Sequence, residues 1–452
     1  MAACSLSRCD APVKLSFHLV AAALVAATAP ALAQSSSPST AAPTSPPSAR
    51  VLPPEAGGGF AFPVGPFTVR LLPYIQAQYE HHADSEEELS SDGLRLLNQD
   101  RFVLRRGRVV LGLEHRWAQM VFEADVNTVH GVAFGVRQAE ASLRLPPNDR
   151  GLSAAMVTVG MFRTPFGFET LRSARERVFM ENSTVAQAFF PGESDLGARV
   201  QGALGWFRYA VAVVNGHPVD EVRYGATAPL APRDVVGRLG VDVRARTAHV
   251  TAGVSALGGA GFHAGTPQGV DALGVRDVAE NGVLTPDSLV LLQGRAAVRS
   301  QSFVRFAVGA DAAVELRLGA RVAVDAYAEV MFGQNMDRGL FPSDPVGLGH
   351  DLRGLGVVAG GTVRLFDRVL LGVRFDHYDP NVDSTATQAG VVVLAPRSVT
   401  TESVLAGFQV PGTGCRIVAQ YDFIQDHLAL GTDGLPTDLA NDRFTLRVQV
   451  SP

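Results

Sequence analysis

From Val322 to Phe332 the chain reads VAVDAYAEVMF. Val322, Val324, Ala326, Ala328, Val330 and Phe332 fall on one side of a period-two pattern, and all are apolar. The positions between them are Ala323, Asp325, Tyr327, Glu329 and Met331. Asp325 and Glu329 are spaced to share a helix face, but a helix would spread the apolar residues around its circumference. The clean sorting by twos predicts a strand with one oily face and one face that carries carboxylates.

The same alternation returns along the chain. In RFVLRRGRVVLGLEHRW, Val103, Gly107, Val109, Leu111 and Leu113 alternate with Arg106, Arg108, Glu114 and Arg116. In AQMVFEADVN, Met120, Phe122, Ala124 and Val126 oppose Glu123, Asp125 and Asn127. In VRFAVGADAAVELRL the polar side holds Arg305, Asp311, Glu315 and Arg317. Such segments run about ten residues or more, the length a tilted strand needs to cross a bilayer and longer than ordinary globular strands. In a soluble sandwich the charged sides would face bulk water; in a closed barrel they face a wet lumen.

Strands are expected near 67–79, 101–116, 117–127, 134–146, 153–162, 196–206, 207–215, 233–244, 247–257, 303–318, 319–333, 353–366, 367–378, 400–411, 413–425 and 441–450. The links after even strands are short, as in HRWA, GWF, RART, LGAR and FDR, while those after odd strands are mostly longer. Short turns on one side and long loops on the other mark a bacterial outer-membrane barrel, whose strand number is even. The fold class is therefore all-β: a transmembrane antiparallel barrel of about sixteen strands, with long outer loops and one loop folded into the lumen. SLVLLQGRAAV, from Ser288, also has strand character, but counting it would break the parity, so it is assigned to an outer loop.

Composition sharpens this picture. The chain has 452 residues and a net charge of −5, which gives no general pull toward nucleic acid. Lys14 is its only lysine. Residues 1–33 read as a signal peptide: Arg8 and Lys14 precede an apolar stretch, and Ala31-Leu32-Ala33 forms a cleavage site after Ala33. Residues 34–60, rich in Ser, Pro and Gly, read as a disordered linker, leaving 61–452 for the barrel. The mature chain retains only Cys415, so no internal disulfide is expected.

Several stretches, in order, resemble the phosphate-selective porin O and P family: RRGRVVLGLEHRW (105–117), VTVGMFRTPFGFE (157–169), MENS (180–183), DLGARVQGAL (195–204), AVVNG (212–216) and RFDHYDPN (374–381). VGMFRTPFGFE with the later ENS is the most specific. The resemblance implies a homotrimeric outer-membrane channel that passes anions, some members preferring phosphate. Two departures stand out: this chain ends VQVSP with no terminal aromatic, and its mature part has no lysine. General porin behaviour is therefore expected rather than strict phosphate selectivity.

The link from Arg163 to Asp195 is the candidate constriction, because VFMENSTVAQAFF is too apolar to float in solvent. Arg163, Arg172, Arg175 and Arg177 would stand at the narrowest ring, where arginines favour anions. Arg106, Arg108, Arg116, Arg199, Arg238 and Arg321 are wall candidates. They would line an anion path or hold the wall rigid by pairing with lumenal Glu123, Asp125, Asp311, Glu315, Asp325 and Glu329, and the structural role is favoured for most. Asp325 and Glu329 are expected to stand in lumenal water.

No metal or other cofactor is expected. His81-His82 point to opposite sides of an extended chain, and DHYDPNVD lacks the spacing of a calcium loop. No hydrolase or nucleotide-binding motif is present. The expected partners are outer-membrane lipid and small inorganic or organic anions as permeants, with no nucleic acid. The expected function is passive diffusion of small hydrophilic solutes, anions preferred and phosphate among them. The alternatives are a non-conducting barrel that serves as a surface receptor or anchor, or, less favoured, a barrel-borne hydrolase.

Overall fold

A computed structural model describes residues 59–452 apart from 84–99, 130, 149–150, 220–232, 266–271, 276–288, 293–296, 298, 320, 389–390, 395–396, 431–435 and 439–440. The signal-peptide and most of the linker assignments lie outside the described residues.

The strands are β1 (Phe60–Val64), β2 (Phe67–His82), β3 (Arg101–Glu114), β4 (Ala118–Asn127), β5 (Ala133–Arg144), β6 (Met156–Arg163), β7 (Ser194–Leu204), β8 (Phe207–Val214), β9 (Asp234–Arg244) and β10 (Ala248–His263). They continue with β11 (Ala272–Val275), β12 (Leu289–Leu292), β13 (Gln301–Leu318), β14 (Val322–Gln334), β15 (Arg353–Leu365), β16 (Val369–Asp379), β17 (Thr385–Gln388) and β18 (Val391–Leu394). The last are β19 (Val399–Gln409), β20 (Arg416–Asp426), β21 (Ala429–Leu430), β22 (Pro436–Thr437) and β23 (Arg443–Val450).

Sixteen of these strands pair antiparallel, each with its neighbour, into one closed sheet. Closure comes where β23 pairs with β2, Ile75 opposite Val450 and His82 opposite Arg443. A closed ring leaves no bare edge in hydrocarbon. The count of sixteen agrees with the parity of short and long links. Of the Ser288 segment, Leu289–Leu292 stays out of the wall, as expected: among the described residues β12 pairs only with β11 in a separate hairpin. One strand lies before the expected start. β1 pairs with Phe67–Leu71 of β2, the stretch of that edge that β23 does not reach.

The wall is inside-out. Val157, Val159, Val211, Val254, Val330, Val373 and Val448 are exposed on the outer face. Gln76, Arg108, Asp125, Thr158, Asp311, Arg374, Gln420 and Arg447 are buried on the inner one. Val330→Arg would put a cation on the apolar outer face and is expected to cost about 2–4 kcal/mol in vesicles. Urea unfolding of the reconstituted protein would measure it.

Two irregularities alter the inward-facing set. Gln76 and Ala77 of β2 oppose Arg106 and Leu104, so Arg105 is an extra residue in β3. The inserted residue reverses the alternation before it, and Val103 faces inward while Phe102 is exposed; the expected outward place of Val103 is corrected accordingly. Likewise Glu123 and Ala124 oppose Gln138 and Val136, which leaves Arg137 as the extra residue of β5. Each irregularity thus adds an arginine to the inner side.

Candidate functional site

The link between β6 and β7 turns into the barrel. Phe166, Val185, Ala186, Ala188, Phe189 and Phe190 of this loop pack with wall residues Phe162, Val214, Val236, Leu257, Met331 and Tyr378 in one buried cluster. Phe179 and Met180 form a second cluster with Leu370, Leu405 and Val418. Part of the lumen is therefore dry and apolar, which corrects the expectation of a wholly wet interior. The cause is the loop sequence itself, whose aromatic and aliphatic side chains leave water only by lying on the wall.

Polar anchors fix the loop at several heights. Gly167, at φ +66°, takes the left-handed conformation that glycine adopts without strain. Its N–H donates to Ser255 Oγ at 3.1 Å. The next two amides, of Phe168 and Glu169, donate to the Glu329 carboxylate at 3.0 and 3.1 Å. Glu329 is thus buried beneath the loop, not in lumenal water as expected. The short helix Thr184–Phe189 begins against Asp376, which accepts from the Thr184 N–H and Oγ1 at 2.7 and 2.8 Å. At its other end Arg338 donates to the Phe189 carbonyl, Nε at 2.9 Å. Arg338 comes from the link between β14 and β15, a second inward loop that was not anticipated.

The charged centre is Glu181. It accepts from Arg105 Nε at 2.9 Å, Arg106 Nη2 at 2.6 Å and Arg447 Nη2 at 2.7 Å. Burial would raise this carboxyl; the positive charges of Arg106, Arg105 and Arg447 outweigh it and hold the group well below the usual carboxylate range. Arg374 donates to the Glu181 carbonyl at 2.7 Å. Glu193 is a second centre. It pairs with Arg177 and, at 3.5 Å, with Arg163. Burial again opposes ionisation, and Arg177 with Arg163 prevails, bringing Glu193 down to about 2.

Neutral groups hold loop arginines as well. Arg163 donates to the Arg172 carbonyl at 2.7 Å. The Arg172 guanidinium lies 5.6 Å from the centre of the Phe168 ring and makes no ion pair among the described residues. Arg175 reaches Ser451 Oγ at 3.3 Å. Arg416 donates from β20 to the Arg175 carbonyl at 2.9 Å. Ten arginines (105, 106, 163, 172, 175, 177, 338, 374, 416 and 447) belong to or bond the segment from Arg172 to Glu193. Among the described residues five carboxylates do so: Glu169, Glu176, Glu181, Glu193 and Asp376.

The wall arginines divide into two sets. Arg108 pairs with Glu123 at 2.7 Å and Asp125 at 3.0 Å. Arg199 lies 3.3 Å from Glu140 and 4.6 Å from the centre of the Phe162 ring. Arg238 holds Asp311 through both terminal nitrogens. All three arginines thus have carboxylate partners on the wall itself. Arg116 and Arg321 are not wall residues: β3 ends at Glu114 and β14 begins at Val322, so both occupy exposed turns. The alternation was carried past the ends of the strands. Of the other acids, Glu315 approaches His249 at 3.5 Å, and Asp325 accepts from Thr362 Oγ1 at 3.5 Å.

Residues that the alternation left out complete the site. Glu181 lies in MENS, outside any strand, while Arg447 and Arg416 fall on inward positions of their strands, so register alone could have found those two arginines. No protein-family model matches the chain. No curated protein sequence matches it. Solved structures do align with it. The outer-membrane channel DcaP of Acinetobacter baumannii aligns at 11% identity over 87% of this chain and 100% of its own, with a TM-score of 0.54. An anion-selective porin from Comamonas acidovorans aligns at 10% identity over 85% of this chain and 100% of its own, with a TM-score of 0.49. OprB of Pseudomonas putida aligns at 12% identity over 85% of this chain and 94% of its own, with a TM-score of 0.46. The likeness to DcaP is one of fold: this chain is a closed antiparallel barrel of the outer-membrane kind.

Proposed function

We propose that this protein is an outer-membrane porin through which small hydrophilic solutes diffuse, with anions preferred. The observation that carries the reading is the imbalance around the inward loop, ten arginines to five carboxylates among the described residues. Most are fixed by hydrogen bonds, so the field they set is standing and needs no rearrangement when an anion arrives. The apolar outer face suits a bilayer, and the barrel shares its fold with a channel. Membership of the phosphate-selective porin O and P family, and the homotrimer that goes with it, rest on the motifs from RRGRVVLGLEHRW to RFDHYDPN. Phosphate is one candidate permeant among small anions.

A second reading has its own support. The buried apolar clusters fill part of the lumen, as a non-conducting receptor or anchor would require. Purified protein in a planar bilayer under a potassium chloride gradient separates the two. The porin reading expects discrete conductance steps and a reversal potential of the anion-selective sign. A silent membrane favours the receptor, and a cation-selective sign overturns the anion preference.

A further inference from the structure

The two arginines that do not line the lumen share a setting. Arg116 sits in the turn after β3 with its guanidinium 5.6 Å from the centre of the exposed Trp117 ring. Arg321 sits in the turn before β14, 5.8 Å from the centre of the exposed Phe366 ring. Arg246 and Arg368 are exposed in two further turns at the same end of the barrel, the end of the short links. None of these four makes an ion pair among the described residues. Three belong to one arc. The Arg317 N–H donates to the Thr247 carbonyl at 2.8 Å, and the Phe366 N–H to the Arg321 carbonyl at 2.6 Å. The turns that carry Arg246, Arg321 and Arg368 therefore lie side by side.

We propose that this rim binds the phosphate headgroups of anionic phospholipids in the leaflet at the short-turn end. It rests on the barrel standing in a membrane, and not on its conducting. Exposed Trp117, Trp206 and Phe366 are ring systems of the type that settles at headgroup depth, and they set the rim at that level. A guanidinium spread over a ring keeps its N–H edge free, and that planar edge matches two phosphate oxygens. Asp367 stands in the same arc but is turned toward Arg364, 3.9 Å away. The long links at the opposite end carry exposed acids, Asp100, Asp351 and Asp438 among them. The two rims therefore favour different surfaces, and the basic one fits an anionic phospholipid leaflet.

The test compares wild type with a variant carrying Arg116→Gln, Arg246→Gln, Arg321→Gln and Arg368→Gln. Both are reconstituted in vesicles of equal parts phosphatidylglycerol and phosphatidylcholine, then released for native mass spectrometry. Wild type is expected to retain phosphatidylglycerol over phosphatidylcholine, by about fivefold for each arginine engaged. The glutamine variant should retain the two lipids equally, with heat-dependent gel mobility showing that its barrel is intact. Lysine at the same four positions should restore the preference. No preference in wild type overturns the proposal, as does an undiminished preference in the glutamine variant. Loss of binding to peptidoglycan sacculi with lipid retention unchanged overturns it as well, and assigns the rim to the cell wall. The lipid readout uses no conductance, so a silent barrel leaves it interpretable.

Discussion

Replacing Arg172, Arg175 and Arg177 together with alanine is expected to move the reversal potential toward cations, lowering anion-over-cation permeability roughly tenfold. These are the three arginines that the loop itself contributes around its first turns. Arg172 has no carboxylate partner among the described residues, so its charge is offset less than that of Arg108 or Arg238. Selectivity should weaken without reversing, because Arg105, Arg106, Arg416 and Arg447 stay in place. Screening gives an internal control. The shift should be largest near 0.1 M salt, where charges are felt over about 10 Å, and should shrink near 1 M, where that distance is about 3 Å. An unchanged potential at low salt would show that these side chains do not face the permeant.

Glu181→Ala is expected to release the loop. The substitution leaves Arg105, Arg106 and Arg447 without their shared counter-charge in a poorly hydrated site. Breaking a buried pair of this kind costs about 3–5 kcal/mol, because the unpaired cations remain. Trypsin reads the result directly, since Arg172, Arg175 and Arg177 are cleavage sites shielded while the loop is docked. The variant should be cut there under conditions that leave wild type whole. The pH dependence follows from the same carboxylates. Both Glu181 and Glu193 are ionised more readily in the folded chain than in an unfolded one. Their contribution is therefore complete at neutral pH and is lost only as pH falls below 4.5 toward about 2. Wild-type protection from trypsin should hold at pH 5 to 7, and near pH 2 pepsin, which is active in acid, should cut the wild-type loop as it cuts the variant's. Equal protection of Glu181→Ala and wild type would show that the apolar clusters alone hold the loop.

The wall could be read from the residues because its rule is simple. VAVDAYAEVMF sorts by twos, and each reversal of the chain is marked by a link whose length tells which side it lies on. The loop was legible for a different reason, an apolar run too long to leave in water. Three features broke these rules. Arg105 and Arg137 are single insertions, which shift the alternation without changing the local composition. Arg116 and Arg321 keep the spacing of the strand but lie past its end, where spacing has no meaning. Glu181 draws its role from Arg447, which is 266 positions away, and no local pattern records that meeting.

The larger apolar cluster has a consequence for biogenesis. Its members come from β6, β8, β9, β10, β13, β14 and β16, with Phe166 and Phe189 supplied by the loop between β6 and β7. No partial sheet offers that loop a complete seat. Until those strands have come together, the apolar side chains of the loop stay in contact with water. That seat is complete only once β16, which supplies Tyr378, has joined the sheet.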